Sequence, residues 1–174
     1  KLDDERAHRM IREQFQSQNA TDKLTAFKLY LDSSMEDKYQ ILEEFGKEAQ
    51  SNVEWEGFMF TVARSDADDV IGMLRKVEAM EKFRIDQSND QRMFMIFALV
   101  NRKKSLLTEE GREYLEEKLK QLAPINEYNT INMLEAFNTI RHIEEPHRKE
   151  LKRVIDSLLD SIDAEELPSV YNTD

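Results

Sequence analysis

The sequence predicts an all-α fold of stacked antiparallel helical hairpins, an α-solenoid. Only 4 glycines and 3 prolines interrupt its 174 residues, and 35% of the residues are charged, a composition that favours helices. Apolar residues recur every three or four positions along most of the chain, which is the spacing of one helix face. The polar breaks between these stretches are short, so we expect successive helices to lie antiparallel.

The first half of the chain predicts five helices. The first covers residues 3–18, and after a polar break Thr21 is expected to cap the second. Ser65 is expected to cap the fifth. The five apolar stripes are, in order, Ala7, Met10, Ile11 and Phe15; Leu24, Phe27 and Leu31; Tyr39, Leu42 and Phe45; Trp55, Phe58, Met59 and Val62; Val70, Leu74 and Val77.

The second half opens with the most hydrophobic helix, which begins at Ser88-Asn89. Its segment M-F-M-I-F-A-L-V, residues 93–100, is apolar on nearly all sides and is expected to run through the middle of the domain. Thr108 precedes a helix that Pro124 ends, and the next helix covers residues 127–140. The last three inward stripes are Leu115, Leu119 and Leu122; Met133, Leu134, Phe137 and Ile140; Leu151, Val154, Ile155, Leu158, Leu159 and Ile162.

This order of about eight or nine helices is typical of a superhelix of the ARM or HEAT type, although no sequence repeat of fixed period is visible. We expect residues 1–174 to form a single α-helical domain. The chain begins with Lys1 rather than Met and shows no signal peptide. It is therefore expected to be a fragment or processed form of a larger protein, in the cytoplasm.

Composition excludes several classes of partner and chemistry. The net charge of −11 predicts no binding to nucleic acid or to an anionic membrane, because both would be repelled. The absence of cysteine excludes disulfides and thiolate ligands. No run of about 18 apolar residues occurs, so no membrane-spanning helix is predicted. The densest basic cluster, Arg102-Lys103-Lys104, is interpreted as a solvated helix end.

Residues 142–147, H-I-E-E-P-H, contain residue types that bind zinc. In the motif H-E-x-x-H the two histidines are four positions apart and share one helix face. His142 and His147 are five apart, about 500° around a helix, and so point away from each other. Pro146 instead favours a turn before the final helix. We predict no metal site and no catalytic residue in this chain.

Two polar stretches have either a structural or a functional interpretation. Residues 88–92, S-N-D-Q-R, form a helix N-terminus with a solvent-facing arginine, or a binding site. In residues 126–132, N-E-Y-N-T-I-N, Tyr128 and Asn132 lie one helical turn apart. With Glu135 and Thr139 they form a row that lines a groove or an ordinary exposed face.

Five motifs occur in the order and at about the spacing found in one known family. They are N-A-T-D-K-L-T-A-F at residues 19–27, A-R-S-D-A-D-D-V-I at 63–71, F-R-I-D-Q-S-N-D-Q-R-M-F-M-I-F at 83–97, G-R-E-Y-L at 111–115 and L-A-P-I-N-E-Y-N-T-I-N-M-L at 122–134. Together they resemble the C-terminal helical domain of M1 zinc aminopeptidases of the bacterial aminopeptidase N type.

This resemblance implies a domain of a zinc-dependent enzyme that removes N-terminal amino acids from peptides. In the family, the helical domain packs over a separate thermolysin-like catalytic domain, encloses the cleft and restricts access to it. The family binds zinc with H-E-x-x-H and a downstream glutamate, and the substrate amine with a G-x-M-E-N-type motif; neither occurs here. The implied partners are the catalytic domain of the same polypeptide and peptide substrates, with zinc outside this chain.

The resemblance also indicates four candidate residues for the substrate cleft, namely Asn89, Arg92, Tyr128 and Asn132. Asn89 and Arg92 match the second asparagine and the second arginine of the family motif N-P-N-R-x-R. Tyr128 and Asn132 stand where the family motif N-P-Q-V-A-S-R has glutamine and arginine. Whether this helix contacts the substrate is therefore left open.

Arg92 is the strongest of the four candidates. A cation in the first turn opposes the helix dipole, at a cost of roughly 0.3–1 kcal/mol, unless a carboxylate such as Asp90 neutralises it. The resemblance implies a reason for this cation, because the matching position in the family faces the catalytic cleft. We therefore expect Arg92 to bind substrate, and its loss to leave stability unchanged or slightly higher.

Two hypotheses compete with the enzyme domain. The chain is alternatively a non-catalytic helical-repeat module that binds proteins, or a structural adaptor that acts through its acidic surface. Because one fold supports many functions, architecture alone does not separate them. A sequence H-E-x-x-H encoded upstream of Lys1 would favour the enzyme, and its absence would favour the binding module.

Overall fold

The computed structural model describes residues 5–15 and 19–161. These residues form ten α-helices and one 3-10 helix without any β-strand, which confirms the predicted all-α class. The elements are α1 (Glu5–Phe15), α2 (Ala20–Leu31), α3 (Lys38–Glu48), α4 (Asn52–Ala63), α5 (Val70–Glu78), α6 (Ser88–Leu99), α7 (Arg102–Ser105), α8 (Glu109–Leu122), α9 (Glu127–Leu134), the 3-10 helix (Glu135–His142) and α10 (Glu145–Ser161).

The longer helices pack in two layers. Helices α2, α4, α6 and α9 lie side by side in the first layer, and α3, α5, α8 and α10 in the second. Neighbours within the first layer run parallel: the Trp55 Nε1–H donates to Asp90 near the N-termini of α4 and α6, and Asn101 donates to the Ala63 carbonyl near their C-termini. The fold is therefore a stack of antiparallel hairpins, as predicted.

A structural repeat is present although no sequence period is visible. Among the described residues, the side-chain hydrogen bonds between neighbouring helices of a layer join residues 31 to 42 positions apart. The separation is 33 between Asp32 and Ser65, and 38 between Gln91 and Asn129. Because the hairpin length varies in this way, equivalent positions do not recur at one fixed period.

Helix α6 runs through the centre of the stack, as its sequence predicts. It contacts α4, α7, α8, α9 and the 3-10 helix. Met93, Phe94 and Phe97 are almost completely buried. The Phe97 ring packs edge-on against Tyr114 of α8, with ring centroids 5.5 Å apart. This helix therefore joins the two layers through its apolar surface.

The two caps predicted for α2 and α5 are wrong. Asn19, rather than Thr21, caps α2, because its side chain accepts the N–H of Thr21. Helix α5 begins only at Val70, and the Ser65 hydroxyl instead donates to Asp32. Helix α8 begins directly after Thr108, as predicted, and the Thr108 side chain caps it by accepting the Gly111 N–H.

The predicted helix over residues 127–140 is divided. Its α-helical part ends at Leu134, and a 3-10 helix continues to His142. Met133 and Phe137 are nevertheless buried on both sides of the change, as predicted. A 3-10 segment advances about 2.0 Å per residue instead of 1.5 Å, so it covers a longer distance before α10 than the same residues would in an α-helix.

Some predicted core positions are exposed. Met10 and Leu159 lie on predicted apolar stripes but are 59% and 46% exposed. Each lies on a terminal helix of the described stack, where no further helix covers the outer side. The predicted core position Ile162, and the parts of the first helix beyond α1, lie outside the described residues.

The basic cluster at residues 102–104 is only partly a solvated helix end. Arg102 Nε donates to the Leu99 carbonyl at the end of α6, as a C-terminal cation should. Lys104 is buried, however, and its Nζ lies 2.7 Å from Asp68 Oδ1. The long-range partner explains why this lysine leaves solvent.

Candidate functional site

The four candidate residues lie on two neighbouring helices of the first layer. Asn89 and Arg92 belong to α6, and Tyr128 and Asn132 belong to α9, which packs against it. Asn89, Arg92 and Tyr128 are exposed, and Asn132 is half-buried. Within the described part of the chain, no hydrogen bond or ion pair joins the two pairs. They therefore share an accessible surface but do not form one bonded cluster.

Arg92 is held by α4, the other neighbour of α6. Its guanidinium forms an ion pair with Glu56 and lies over the Phe60 ring, 5.1 Å from the ring centroid. Glu56, rather than Asp90, thus neutralises this cation near the N-terminus of α6. Asp90 is buried and instead accepts hydrogen bonds from Trp55 Nε1 at 3.1 Å and from the Arg84 N–H at 2.7 Å.

A buried amide network holds α6 against α9. Gln91 is 1% exposed, and its Oε1 accepts from the Asn126 side chain at 2.8 Å and from Asn129 at 2.6 Å. Its Nε2 donates to the Ile85 carbonyl, so the buried amide is satisfied at both ends. This network positions the two candidate pairs relative to each other.

Sequence reasoning missed Gln91, although a signal was present. The buried stripe formed by Phe94 and Phe97 extends backward by helical periodicity to Asp90 and Gln91. The polar run S-N-D-Q-R conceals this continuation, because polarity alone suggests exposure. Two members of the run are buried because their partners lie on neighbouring helices.

A second arginine approaches the same ring. The Arg64 guanidinium lies 5.9 Å from the centroid of Phe60. Glu56, Phe60 and Arg64 are spaced by four residues along α4 and its C-cap, so they follow one helix face. We call Glu56, Phe60, Arg64 and Arg92 the exposed arginine cluster. The sequence did not indicate it, because the four residues come from two helices.

Residues 1–167 match DUF3458_C, which is described as a domain of unknown function with ARM repeats. The chain belongs to this family. Its ARM-repeat description agrees with the two-layered stack and confirms the predicted solenoid class. No curated protein matches the sequence. The family description does not mention aminopeptidases, so the resemblance to the M1 enzymes stays a prediction.

The predicted polar row on α9 is interrupted in this DUF3458_C chain. Tyr128 and Asn132 are one α-helical turn apart, but Glu135 begins the 3-10 helix, where the angular spacing changes. The Thr139 hydroxyl donates to the Ala136 carbonyl within that segment. Only the first two residues of the row therefore remain together as a candidate contact surface.

A second charged cluster lies between α5 and α8. Lys118 is 2% exposed and forms ion pairs with Glu78 and Glu117. The Tyr114 hydroxyl donates to Glu78 at 2.6 Å, and burial raises the pKa of this tyrosine well above its ordinary value. The hydrogen bond from Arg75 holds the pKa of Glu117 at about 2. We call Glu78, Tyr114, Glu117 and Lys118 the buried lysine cluster; it joins two helices of the second layer.

The M1 resemblance implies a zinc ion outside this chain, and the described residues offer no alternative site. They contain no group of three or more histidine, aspartate or glutamate side chains arranged to hold a metal ion. His147 Nδ1 lies 3.5 Å from a nitrogen of Arg112, whose positive charge would oppose a metal there. In the same residues, no helix combines the length and hydrophobicity needed to cross a bilayer.

Proposed function

We propose that this chain is the C-terminal helical domain of an M1-type zinc aminopeptidase, a cytoplasmic enzyme that removes N-terminal amino acids from peptides. In this proposal the domain covers the catalytic domain of the same polypeptide and restricts which peptides enter the cleft. One observation carries the proposal: the motif residues Asn89 and Arg92, and the positions of Tyr128 and Asn132, share an accessible surface on adjoining helices. Their side chains are therefore open to a ligand or to a covering domain.

Arg92 would contribute binding rather than chemistry. Its guanidinium has five N–H donors in one plane, and the ion pair with Glu56 does not use them all. Peptide carbonyls or carboxylates can accept the remaining donors. The contacts with Glu56 and Phe60 hold the side chain before substrate arrives, which reduces the entropy lost on binding.

The alternative is a non-catalytic helical-repeat module that binds another protein. The ARM-repeat family match favours it, because such solenoids present extended binding surfaces. In that case the surface over α4, α6 and α9 would contact a folded partner or peptide, and no hydrolysis would be associated with the parent protein.

Zinc content and peptidase activity of the parent protein test the proposal. We expect the parent to hold one zinc and to hydrolyse aminoacyl anilides, and the 174-residue chain alone to do neither. A parent without H-E-x-x-H, zinc or activity would favour the binding module. One tightly held zinc in the isolated chain, lost in His142→Ala or His147→Ala, would contradict the proposed location of the metal.

Substitution of Arg92 in the active parent tests its role. Arg92→Ala is expected to raise KM for peptides of two or more residues and to leave kcat nearly unchanged, which indicates lost uniform binding. Arg141→Ala is the matched control, because Arg141 is an exposed arginine outside the candidate surface. Wild-type KM values in the Arg92 variant would show that the residue does not bind substrate.

A further inference from the structure

Arg64 is a cation whose charge the described residues do not neutralise. No carboxylate in residues 5–15 and 19–161 forms an ion pair with it, whereas Arg92 on the same ring is paired with Glu56. The chain has 36 acidic and only 25 basic residues, so a shortage of carboxylates does not explain the difference. Asp32 accepts hydrogen bonds from Ser65 and from the Asp66 N–H, the two residues after Arg64, but it is paired with Lys28. Asp68 is paired with Lys104.

The geometry leaves the Arg64 donors available. An aromatic ring attracts a cation through its face and uses none of the N–H donors of the guanidinium. Arg64 and Arg92 both lie within about 6 Å of the Phe60 centroid. The exposed arginine cluster contains two guanidiniums and one carboxylate, that of Glu56, which pairs with Arg92. Its net charge is therefore +1, on a strongly acidic chain.

We propose that Arg64, together with Arg92 on Phe60, binds the carboxylate of a peptide. The bound group completes an alternating row of charges, from Glu56 through Arg92 and the ligand carboxylate to Arg64. The inference deepens the proposed function, on which it rests for the peptide nature of the ligand. The carboxylate comes from a chain terminus or from an acidic side chain, and both offer two oxygens to a guanidinium.

A purely structural role for Arg64 predicts a different effect of substitution by lysine than carboxylate binding does. Arg64 is the C-cap of α4, where any positive charge interacts favourably with the helix dipole. Lysine supplies that charge equally well, but it lacks the planar set of donors that binds a carboxylate through two hydrogen bonds. Arg64→Lys therefore separates the two roles. If Arg64 only stabilises the helix dipole, both peptide affinity and stability are unchanged in this variant. If Arg64 binds a carboxylate, peptide affinity falls and stability is unchanged.

Nuclear magnetic resonance titrations of the 174-residue chain at low ionic strength test the proposal. The probes are N-acetyl-trialanine with a free C-terminus and its C-terminal amide, together with amidated N-acetyl peptides that contain either one glutamate or one glutamine. We expect carboxylate peptides to shift the Arg64 and Arg92 side-chain resonances, and neutral peptides not to. If only the free terminus or only the glutamate binds, that source is identified.

Matched variants complete the test. Arg64→Ala is expected to weaken carboxylate binding about tenfold, equivalent to about 1.4 kcal/mol, and Arg64→Lys to weaken it less. Glu56→Gln should strengthen binding several-fold, because it removes the competing acid. The control variant Arg141→Ala should leave the affinity for carboxylate peptides unchanged. Equal binding of carboxylate and neutral peptides, or an unaltered affinity in Arg64→Ala, overturns the inference.

The two proposals fail separately. An active zinc aminopeptidase whose helical domain binds no peptide carboxylate would retain the proposed function and reject the role of Arg64. A parent protein without zinc or activity, combined with Arg64-dependent carboxylate binding by the chain, would reject the aminopeptidase and retain the binding site.

Discussion

The exposed arginine cluster and the buried lysine cluster use similar residues in different surroundings. Each combines cations, carboxylates and an aromatic ring from two adjacent helices of one layer. The Arg92 side chain is 48% exposed, whereas that of Lys118 is 2% exposed. Lys118 has three hydrogen-bond acceptors and two aromatic rings around it, and Arg64 has one ring.

The difference in burial determines what each cluster can do. Exposed ion pairs contribute about 0–1 kcal/mol, because water screens them, but they leave donors for a ligand. A buried charge whose partner is removed costs about 3–5 kcal/mol. The first cluster is therefore suited to binding and the second to holding α5 against α8, and the following substitutions test that division.

The same truncation of an aromatic ring should have very different effects in the two regions. Phe97→Ala, next to the buried lysine cluster, is expected to lower the free energy of unfolding by roughly 3–5 kcal/mol, through lost burial and a cavity. Phe60→Ala, on the half-buried ring between the arginines, should cost less than half as much. Denaturant unfolding measures both; a loss below about 1 kcal/mol for Phe97→Ala would place that ring outside the core.

Removal of the buried cation should destabilise the fold almost as strongly. Lys118→Ala leaves the Glu78 carboxylate without its cation, so we expect a loss of about 3 kcal/mol in unfolding free energy. The double variant Lys118→Met with Glu78→Gln keeps the volume and removes both charges, and it should recover most of this loss. A single variant as stable as the wild type would mean that the pair does not hold α5 to α8.

Acid should weaken the buried lysine cluster through Glu117. Its pKa is lowered from 4.5 to about 2 in the folded chain, chiefly because it accepts a hydrogen bond from Arg75. The ionised carboxylate therefore stabilises the fold above about pH 4.5, and this contribution disappears as the pH falls toward 2. Because Glu117 is about one-third exposed, solvent screening limits the effect to about 1 kcal/mol.

Glu117→Gln is the control for this acid dependence. The variant should lose less stability than the wild type between pH 5 and pH 2, as measured by thermal unfolding across that range. Identical pH dependence in both proteins would show that Glu117 does not contribute.

Arg92→Ala should have the smallest effect on stability. The sequence predicts unchanged or slightly higher stability, because the cation opposes the dipole of α6. The contacts with Glu56 and Phe60 change this expectation to a loss of about 0.5 kcal/mol, reduced further by salt. Unfolding at low and high ionic strength measures it, and a loss of several kcal/mol would make Arg92 a structural residue.

The features predicted correctly depend on neighbouring residues in the sequence. Apolar periodicity located α6 and its buried rings, and the residues after Thr108 indicated where α8 begins. The buried charges were missed because the partners of Lys104 and Lys118 lie 36 and 40 residues away. The same reason explains Glu56, which pairs with Arg92 from the preceding hairpin. A single sequence shows which residues are polar but not which pairs the stacking brings together.

The limited reach of the contacts between hairpins has a consequence for folding. The hydrogen bonds described between neighbouring helices of a layer span no more than 42 residues, so each interface closes a loop of similar size, wherever it lies in the chain. The entropy of loop closure rises only slowly with loop length, and it is therefore nearly equal for all interfaces. Such a chain can begin to fold at any hairpin and propagate in both directions.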